Sequence, residues 1–234
     1  MAKQVAETKR DAVRSPDAHS RALAEGGYKN IQVPAIRLFK TIFPIRITLL
    51  EDMLGTIPKS KEVFTKFVQA KRAEALDDDK LLEEQEMVPE GEEPGFTGFY
   101  SDDHGVYLMD YHLRGFFKEA GNILKAHELI GIKNMRAKID NFCFIFPRKI
   151  FLKTKPDGVL ERPLLGMTRQ GPRVTLAKSD YVAAGLHFDI VVGLLPHDEI
   201  TEEKIVTLLD FGQLKGLGQW RNGSWGRFSW RYLD

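Results

Sequence analysis

The stretch that decides the fold is Pro44-Ile45-Arg46-Ile47-Thr48-Leu49-Leu50, in which apolar and polar side chains largely alternate. A period of two puts the apolar side chains on one face of a β-strand and the polar ones on the other. We therefore predict a half-buried strand here. The mixed residues 30–43 just before it are predicted to contribute to the same opening strands.

Further strands and helices follow along the chain. Residues 60–68 predict a helix capped by Ser60, and residues 105–109 predict a short strand. The next segment predicts a helix whose apolar face carries Leu113, Phe116, Phe117, Ala120, Leu124 and His127. Residues 139–152, interrupted by Pro147, predict two strand pieces. Later strands are predicted at residues 173–177, 186–195 and 226–233, with a helix capped by Thr201 before the last of them.

Helices interspersed with alternating strands predict an α+β fold, a ferredoxin-like antiparallel sheet with helices on one face. Residues 1–29 contain many charges and alanines, Pro16 and a closing Gly-Gly pair, which predicts a flexible N-terminal arm. Residues 30–234 are predicted to form a single domain. Within it, residues 73–103 predict a long acidic insertion.

The net charge of +1 hides two opposed parts. Residues 73–103 hold twelve acids and one base, a formal charge of −11, so the rest of the chain carries +12. Residues 131–178 hold eleven bases against three acids, and residues 213–231 hold four bases and no acid. The insertion is interpreted either as a solvated linker or as an acidic loop that covers a basic groove. The basic remainder is compatible with a nucleic-acid partner.

Composition excludes other classes of protein. No apolar stretch approaches the roughly 20 residues that span a bilayer, and residues 1–10 lack an apolar signal core, so we predict a cytoplasmic protein with no membrane partner. The lone Cys143 excludes an internal disulfide and a cysteine zinc cluster, and it is predicted to be buried.

The most unusual segment is residues 216–232, with all three tryptophans, three arginines and four glycines. Glycine lets a backbone approach a ligand closely, arginine donates to phosphate, and tryptophan offers a flat surface to an unpaired base. The segment is therefore consistent with binding of single-stranded nucleic acid. It fits neither a phosphate-binding Walker loop nor a dinucleotide fingerprint, and no cofactor is predicted.

A Gly-rich β-hairpin with tryptophans in the core is the alternative interpretation of this segment. Alternation in residues 226–232 would put Phe228, Trp230 and Tyr232 on one face, so Trp230 is predicted to be a core residue. Trp220, Arg221, Trp225 and Arg227 flank the turn and remain the better candidates for contact with a ligand.

Residues 216–232 resemble the C-terminal Gly-rich loop of the RAMP superfamily, the repeat-associated proteins that form the backbones of CRISPR effector complexes. Residues 111–120, Tyr-His-Leu-Arg-Gly-Phe-Phe-Lys-Glu-Ala, are similar to the helix start that lies beside RNA in that family, with Tyr111-His112 in place of a small Gly-Ser pair. The wider layout is also similar to small proteins of bacteriophages and mobile elements. The resemblance implies an RRM-like core that binds single-stranded RNA, or single-stranded DNA, often in several copies.

Motif, composition and resemblance together predict a non-catalytic protein that binds single-stranded nucleic acid, RNA rather than DNA, and that self-associates or joins a larger ribonucleoprotein complex. The predicted contact residues are Arg114, Gly115, Arg169, Arg173, Lys215, Gly216, Gly218, Gln219, Trp220, Arg221, Gly223, Trp225, Gly226 and Arg227. No catalytic or metal-binding residue is predicted. The alternatives are a metal-independent endoribonuclease with His112 or His104 as general base, and a phage structural or assembly protein.

Overall fold

A computed structural model describes residues 31–59, 96–168 and 171–233. The predicted arm at residues 1–29, the helix predicted after Ser60 and the acidic residues 73–95 lie outside these ranges. The last residues of the acidic insertion form two short strands, β4 (Phe96–Gly98) and β5 (Tyr100–Asp102).

The core of the fold is a four-stranded antiparallel sheet made of β1 (Thr41–Leu49), β7 (Cys143–Phe146), β11 (His187–Leu194) and β12 (Phe228–Tyr232). The strands lie in the order β12-β1-β11-β7 across the sheet. The helix α1 (Asp110–Ala126) stands between β1 and β7 along the chain, and α3 (Glu202–Asp210) stands between β11 and β12. This is the β-α-β-β-α-β sequence of the ferredoxin-like fold, and it confirms the predicted fold class.

Alternation along β1 builds the buried face of this sheet. Phe43, Ile45, Ile47 and Leu49 are at most 1% exposed and belong to the same apolar cluster as side chains of α1 and α3. On the opposite face, Arg46 donates two hydrogen bonds to Asp189, at 2.7 and 2.8 Å. Both helices therefore pack on one face of the central sheet, as the strand pattern predicts.

Helix α3 begins where the sequence predicts. The side chain of Thr201 accepts a hydrogen bond from the backbone N–H of Lys204, and two glutamates occupy the first turn. Ile205, Leu208 and Leu209 face the core and are fully buried. Cys143 is also buried, as predicted, and burial raises the pKa of its thiol to about 12.

Three sequence predictions about secondary structure are wrong in part. Residues 31–40 contain a single 3-10 turn, Ile36–Leu38, before β1 begins. Residues 139–142 belong to a helix, α2 (Met135–Phe142), because Met135 and Ile139 lie one turn apart and are both buried. His127 is exposed rather than part of the apolar face, because α1 ends at Ala126. The predicted break at Pro147 is confirmed, since it separates β7 from β8 (Lys149–Lys153).

Two smaller sheets surround the central one. The first joins β5, β6 (Gly105–Met109) and β8. The second uses β4 together with β2 (Met53–Leu54), β3 (Ile57–Pro58), β9 (Gly158–Thr168) and β10 (Gly171–Val182). Its order is β2-β10-β4-β3, with β9 also paired to β10. None of the helices in the described ranges is long and apolar enough to cross a bilayer.

Candidate nucleic-acid interface

The Gly-rich segment folds as a compact loop that docks on the turn after β1. The backbone N–H of Leu217 donates to the carbonyl of Gly226 at 2.9 Å, which closes the loop on itself. The N–H of Gly226 donates to Asp52 at 2.8 Å, and the N–H of Gln219 donates to Leu54 at 3.1 Å. The loop is therefore held by backbone hydrogen bonds at both of its ends.

Two glycines of the loop are required by this close approach. Gly226 has φ +69°, and a side chain there would overlap the carbonyl of Leu217. Gly216 faces the backbone of Gly226 with no room for a Cβ atom. The sequence suggested that these glycines let the backbone approach a ligand closely. In the structure they let two parts of the loop's own backbone approach each other.

Alternation correctly places Trp230 on the core side of β12, although its side chain is only half-buried. Trp230 packs against the central core and donates its indole N–H to Asp210 at 2.9 Å. Trp220 and Trp225 flank the 3-10 turn Arg221–Gly223, and their rings are nearly parallel, with 9° between planes and 6.2 Å between centroids. Trp220 is 43% exposed, so the loop offers an aromatic surface to solvent.

Arg162, a residue that sequence reasoning did not single out, lies against the ring of Trp220. The guanidinium carbon is 3.8 Å from the ring centroid, and the residue is only 8% exposed. Its Nε and Nη1 atoms have no hydrogen-bond partner, and no carboxylate in the described ranges pairs with it. Burial lowers the pKa of this guanidinium from its ordinary value.

The unpaired charge of Arg162 is costly. Moving a charged group out of water without a partner costs several kcal/mol. A cation–π contact at a desolvated site offsets about 2 kcal/mol of that cost. The indole therefore compensates for only part of it, and the site keeps an uncompensated positive charge buried beneath Trp220.

Strand pairing brings polar side chains to the same place. Arg162 on β9 lies opposite Ala177 on β10, and Ser179, two residues further along β10, lies opposite Thr97 on β4. Residues opposite each other or two apart share one face of a sheet. Arg162, Ser179 and Thr97 therefore share the face on which the loop rests.

Gln219 contacts all three of these side chains through one atom. Its Oε1 lies 2.9 Å from Ser179 Oγ, 3.1 Å from Thr97 Oγ1 and 3.4 Å from Arg162 Nη2. We call Thr97, Arg162, Ser179, Gln219 and Trp220 the Gln219 cluster. It combines an exposed aromatic ring, a buried cation and an amide with a fixed orientation.

Carboxylates pair with four of the predicted basic residues. Lys215 and Arg221 both bind Glu119 on α1, the first at 2.6 Å. Arg227 binds Glu51 at 2.6 Å, and Arg114 binds Asp110 at 2.7 Å. Because two cations share Glu119, this part of the surface keeps a surplus of one positive charge.

Glu119 also joins the two motifs that the sequence singled out. It lies four residues after Gly115, so both are on the same face of α1. Gly115 has open space where a side chain would project. The helix start and the Gly-rich loop therefore border a common surface.

The structure also places three further predicted contact residues, two in the loop and one on β10. Gly218 has φ +80° and approaches the carbonyl of Leu54, and Gly223 is exposed in the turn between the two tryptophans. Arg173 is on β10, opposite Gly166. Arg169 lies outside the described residues.

The two histidines considered for catalysis occupy different surroundings. His112 accepts the backbone N–H of Met109 at its Nδ1 atom, 3.1 Å away, and its ring contacts Tyr100 and Tyr111. The side chain of His104 is 82% exposed and lies 3.5 Å from Asp102. Lys149 also donates to Asp102 and lowers the pKa of that carboxyl. Within the described ranges, no group of three or more His, Cys, Asp or Glu side chains could hold a metal ion.

The sequence matches no protein-family model and no curated protein. Among solved structures, the chain is similar to a chain of a type IV-B CRISPR complex, with 11% identity and a TM-score of 0.40 over 82% of this chain and 90% of that one. It is also similar to a chain of the type III-B Cmr-beta complex bound to cognate target RNA, with 12% identity and a TM-score of 0.44 over 93% of this chain and 73% of that one. Likenesses this distant do not assign an activity to the chain.

Proposed function

We propose that this chain is a non-catalytic protein that binds single-stranded nucleic acid, RNA rather than DNA, as part of a ribonucleoprotein complex. The observation that carries the proposal is Trp220, exposed on a glycine-rich loop with the buried, unpaired guanidinium of Arg162 against its ring. The choice of RNA, and of a complex with further copies or subunits, rests on the resemblance of residues 111–120 and 216–232 to the RAMP superfamily.

The aromatic surface favours a single strand over a duplex. Stacking on an exposed indole requires a base with a free face, and each such contact contributes roughly 1–3 kcal/mol. Bases in a duplex are stacked on their neighbours already, so they gain little from Trp220. The parallel ring of Trp225 enlarges the apolar surface beside it.

The charges around the loop support contact with a phosphate backbone. Arg162 is unpaired, and Lys215 and Arg221 exceed the single carboxylate that they share. A surplus of positive charge attracts a polyanion and releases its counterions, which makes binding dependent on salt. Exposed ion pairs are weak, so a phosphate can compete for these cations at little cost.

Fluorescence anisotropy with the full chain tests this function. We expect a labelled 20-nucleotide RNA to bind at least about tenfold more tightly than the same sequence as a duplex, and more tightly than the DNA strand. Its affinity should fall steeply with added salt. Equal affinity for the duplex, or no binding at low salt, would contradict the proposal. RNA recovered shorter after incubation would favour the endoribonuclease instead.

Removing the shared carboxylate should strengthen binding. The Glu119→Gln variant leaves Lys215 and Arg221 without a partner, so both become free to bind phosphate. We expect a severalfold gain in affinity for the RNA strand, because an exposed ion pair contributes at most about 1 kcal/mol. The slope of log affinity against log salt should also become steeper by about 0.7 for each additional phosphate that the protein neutralises.

Glu203→Gln provides the matched control, because Glu203 is exposed in the first turn of α3 and the substitution removes the same charge. Its affinity and salt slope should stay close to those of the unmodified protein. If Glu119→Gln binds no better than this control, then the two cations do not contact the strand.

A further inference from the structure

We propose that Gln219 determines base specificity by donating a hydrogen bond from its amide nitrogen to the base that stacks on Trp220, with Arg162 as the residue that positions the amide. This inference rests on the proposed binding of single strands. It goes further by naming the chemical group that the site recognises, a carbonyl oxygen on the edge of the base.

The orientation of the Gln219 amide is fixed by its neighbours. A guanidinium can only donate hydrogen bonds, so the Gln219 atom that faces Arg162 Nη2, 3.4 Å away, must be the oxygen. Ser179 Oγ contacts the same oxygen at 2.9 Å and Thr97 Oγ1 contacts it at 3.1 Å. A rotation that exchanged oxygen and nitrogen would turn the amide N–H groups toward the guanidinium.

The nitrogen of the same amide is left as a free donor. Gln219 Nε2 makes no hydrogen bond to any residue in the described ranges, and it is not among the buried polar atoms that lack a partner. It is therefore accessible to a ligand. An amide nitrogen presents two N–H donors and no acceptor, so it is complementary to an acceptor on the ligand.

One guanidinium holds the amide and the indole beside each other. Arg162 contacts Gln219 Oε1 through Nη2, and its central carbon lies 3.8 Å from the centroid of Trp220. Gln219 and Trp220 are also consecutive in the chain. A base stacked on the exposed part of the indole therefore presents its edge close to Gln219 Nε2.

The chemistry of the donor predicts which bases are preferred. Uracil, cytosine and guanine carry carbonyl oxygens, whereas adenine carries none and presents an amino group at its major-groove edge. A base with a carbonyl accepts from Nε2. Adenine N7 can also accept, but glutamine pairs well with adenine only when its oxygen accepts from the adenine amino group as well. Here that oxygen already contacts Arg162, Ser179 and Thr97, so adenine gains only half of the pairing and its amino group lies beside the Nε2 donor. We therefore expect oligouridine to bind more tightly than oligoadenosine.

The Gln219→Glu variant tests the proposal, because it exchanges the donor for an acceptor of nearly the same shape. The quantity measured is the ratio of dissociation constants for 12-nucleotide oligoadenosine and oligouridine, obtained by anisotropy. Comparing this ratio between variants cancels both the stacking within free oligoadenosine and the general effect of the added negative charge. The ratio should shift toward adenine by about two- to twelvefold, since a hydrogen bond contributes about 0.5–1.5 kcal/mol.

Gln213→Glu is the matched control, because Gln213 is exposed in the 3-10 turn that follows α3 and takes the same charge change. Its ratio should equal that of the unmodified protein. A ratio unchanged in Gln219→Glu, while both oligonucleotides still bind, would overturn the inference and leave the proposed function intact. Failure of the unmodified protein to bind either oligonucleotide would overturn both.

Arg162→Met separates the positioning role from stacking. Methionine retains much of the length and apolar volume of the side chain but donates nothing to Gln219. The ratio should move toward one, because the amide can then turn either way, while an oligonucleotide still stacks on Trp220. An unchanged ratio in a folded Arg162→Met protein would remove Arg162 from base recognition.

Discussion

Replacing Trp220 with alanine is expected to weaken binding of a single-stranded RNA 20-mer roughly five- to 150-fold. Trp220 is exposed and flat, and loss of a base–aromatic stack costs roughly 1–3 kcal/mol. Anisotropy titrations at constant salt measure the change. Trp220→Phe should recover a large part of the affinity, because a phenyl ring also stacks.

Leu214→Ala is the control for removal of an exposed apolar side chain. Leu214 is 72% exposed and lies in the same connection between α3 and β12, so its truncation should leave affinity unchanged. Thermal unfolding should also be compared, because Trp220→Ala uncovers the guanidinium of Arg162. Equal affinities of Trp220→Ala and Leu214→Ala for RNA, with both proteins folded, would exclude a stacking role for Trp220.

The central sheet could be predicted because its signals are local. The alternation in β1 and β12, the apolar face of α1 and the cap of α3 all depend on side chains a few residues apart. Their order along the chain then restricts the sheet topology to few solutions. Helix α2 could not be predicted, because an eight-residue segment with Ile139 and Phe142 carries too little periodicity to be distinguished from a strand.

The Gln219 cluster could be predicted only in part. The loop residues Gln219 and Trp220 stand out by composition, whereas Arg162 is one base among eleven in residues 131–178. Its position depends on the pairing of β9 with β10, which sets it opposite Ala177, and on the parallel pairing of β4 with β10. Such registers join residues far apart in sequence, and no local pattern in one chain encodes them.

The ion pairs of the loop could not be predicted either, because their carboxylates lie far away in the sequence. The sequence marks Lys215, Arg221 and Arg227 as free cations because residues 213–231 contain no acid. Their carboxylate partners, Glu119 and Glu51, come from α1 and from the turn after β1. A local charge count therefore overstates the charge that the folded surface presents. Arg162 shows the reverse, a cation that stays unpaired although three acids lie in the same stretch of sequence.

Substituting Gly226 with alanine is expected to lower the free energy of unfolding by about 3 kcal/mol, the largest change in stability that we predict. A positive φ costs a non-glycine residue about 1–2 kcal/mol. At Gly226, where φ is +69°, the new Cβ would also overlap the carbonyl of Leu217, which is backbone and cannot turn aside. Relieving this overlap would strain the hydrogen bonds from Leu217 to Gly226 and from Gly226 to Asp52 that hold the loop. Urea unfolding monitored by circular dichroism measures the loss.

Gly185→Ala separates the two contributions in this prediction. Gly185 has φ +84°, but no atom lies within 4 Å of the position that a Cβ would take, so alanine there incurs only the cost of the backbone conformation. Its free energy of unfolding should fall by about 1 kcal/mol, with the same dependence on urea as the unmodified protein. A difference between the two variants of about 2 kcal/mol then measures the close contact between the two ends of the Gly-rich loop. Equal losses would mean that the loop yields to the extra atom, and that the backbone contact between Leu217 and Gly226 contributes little to stability.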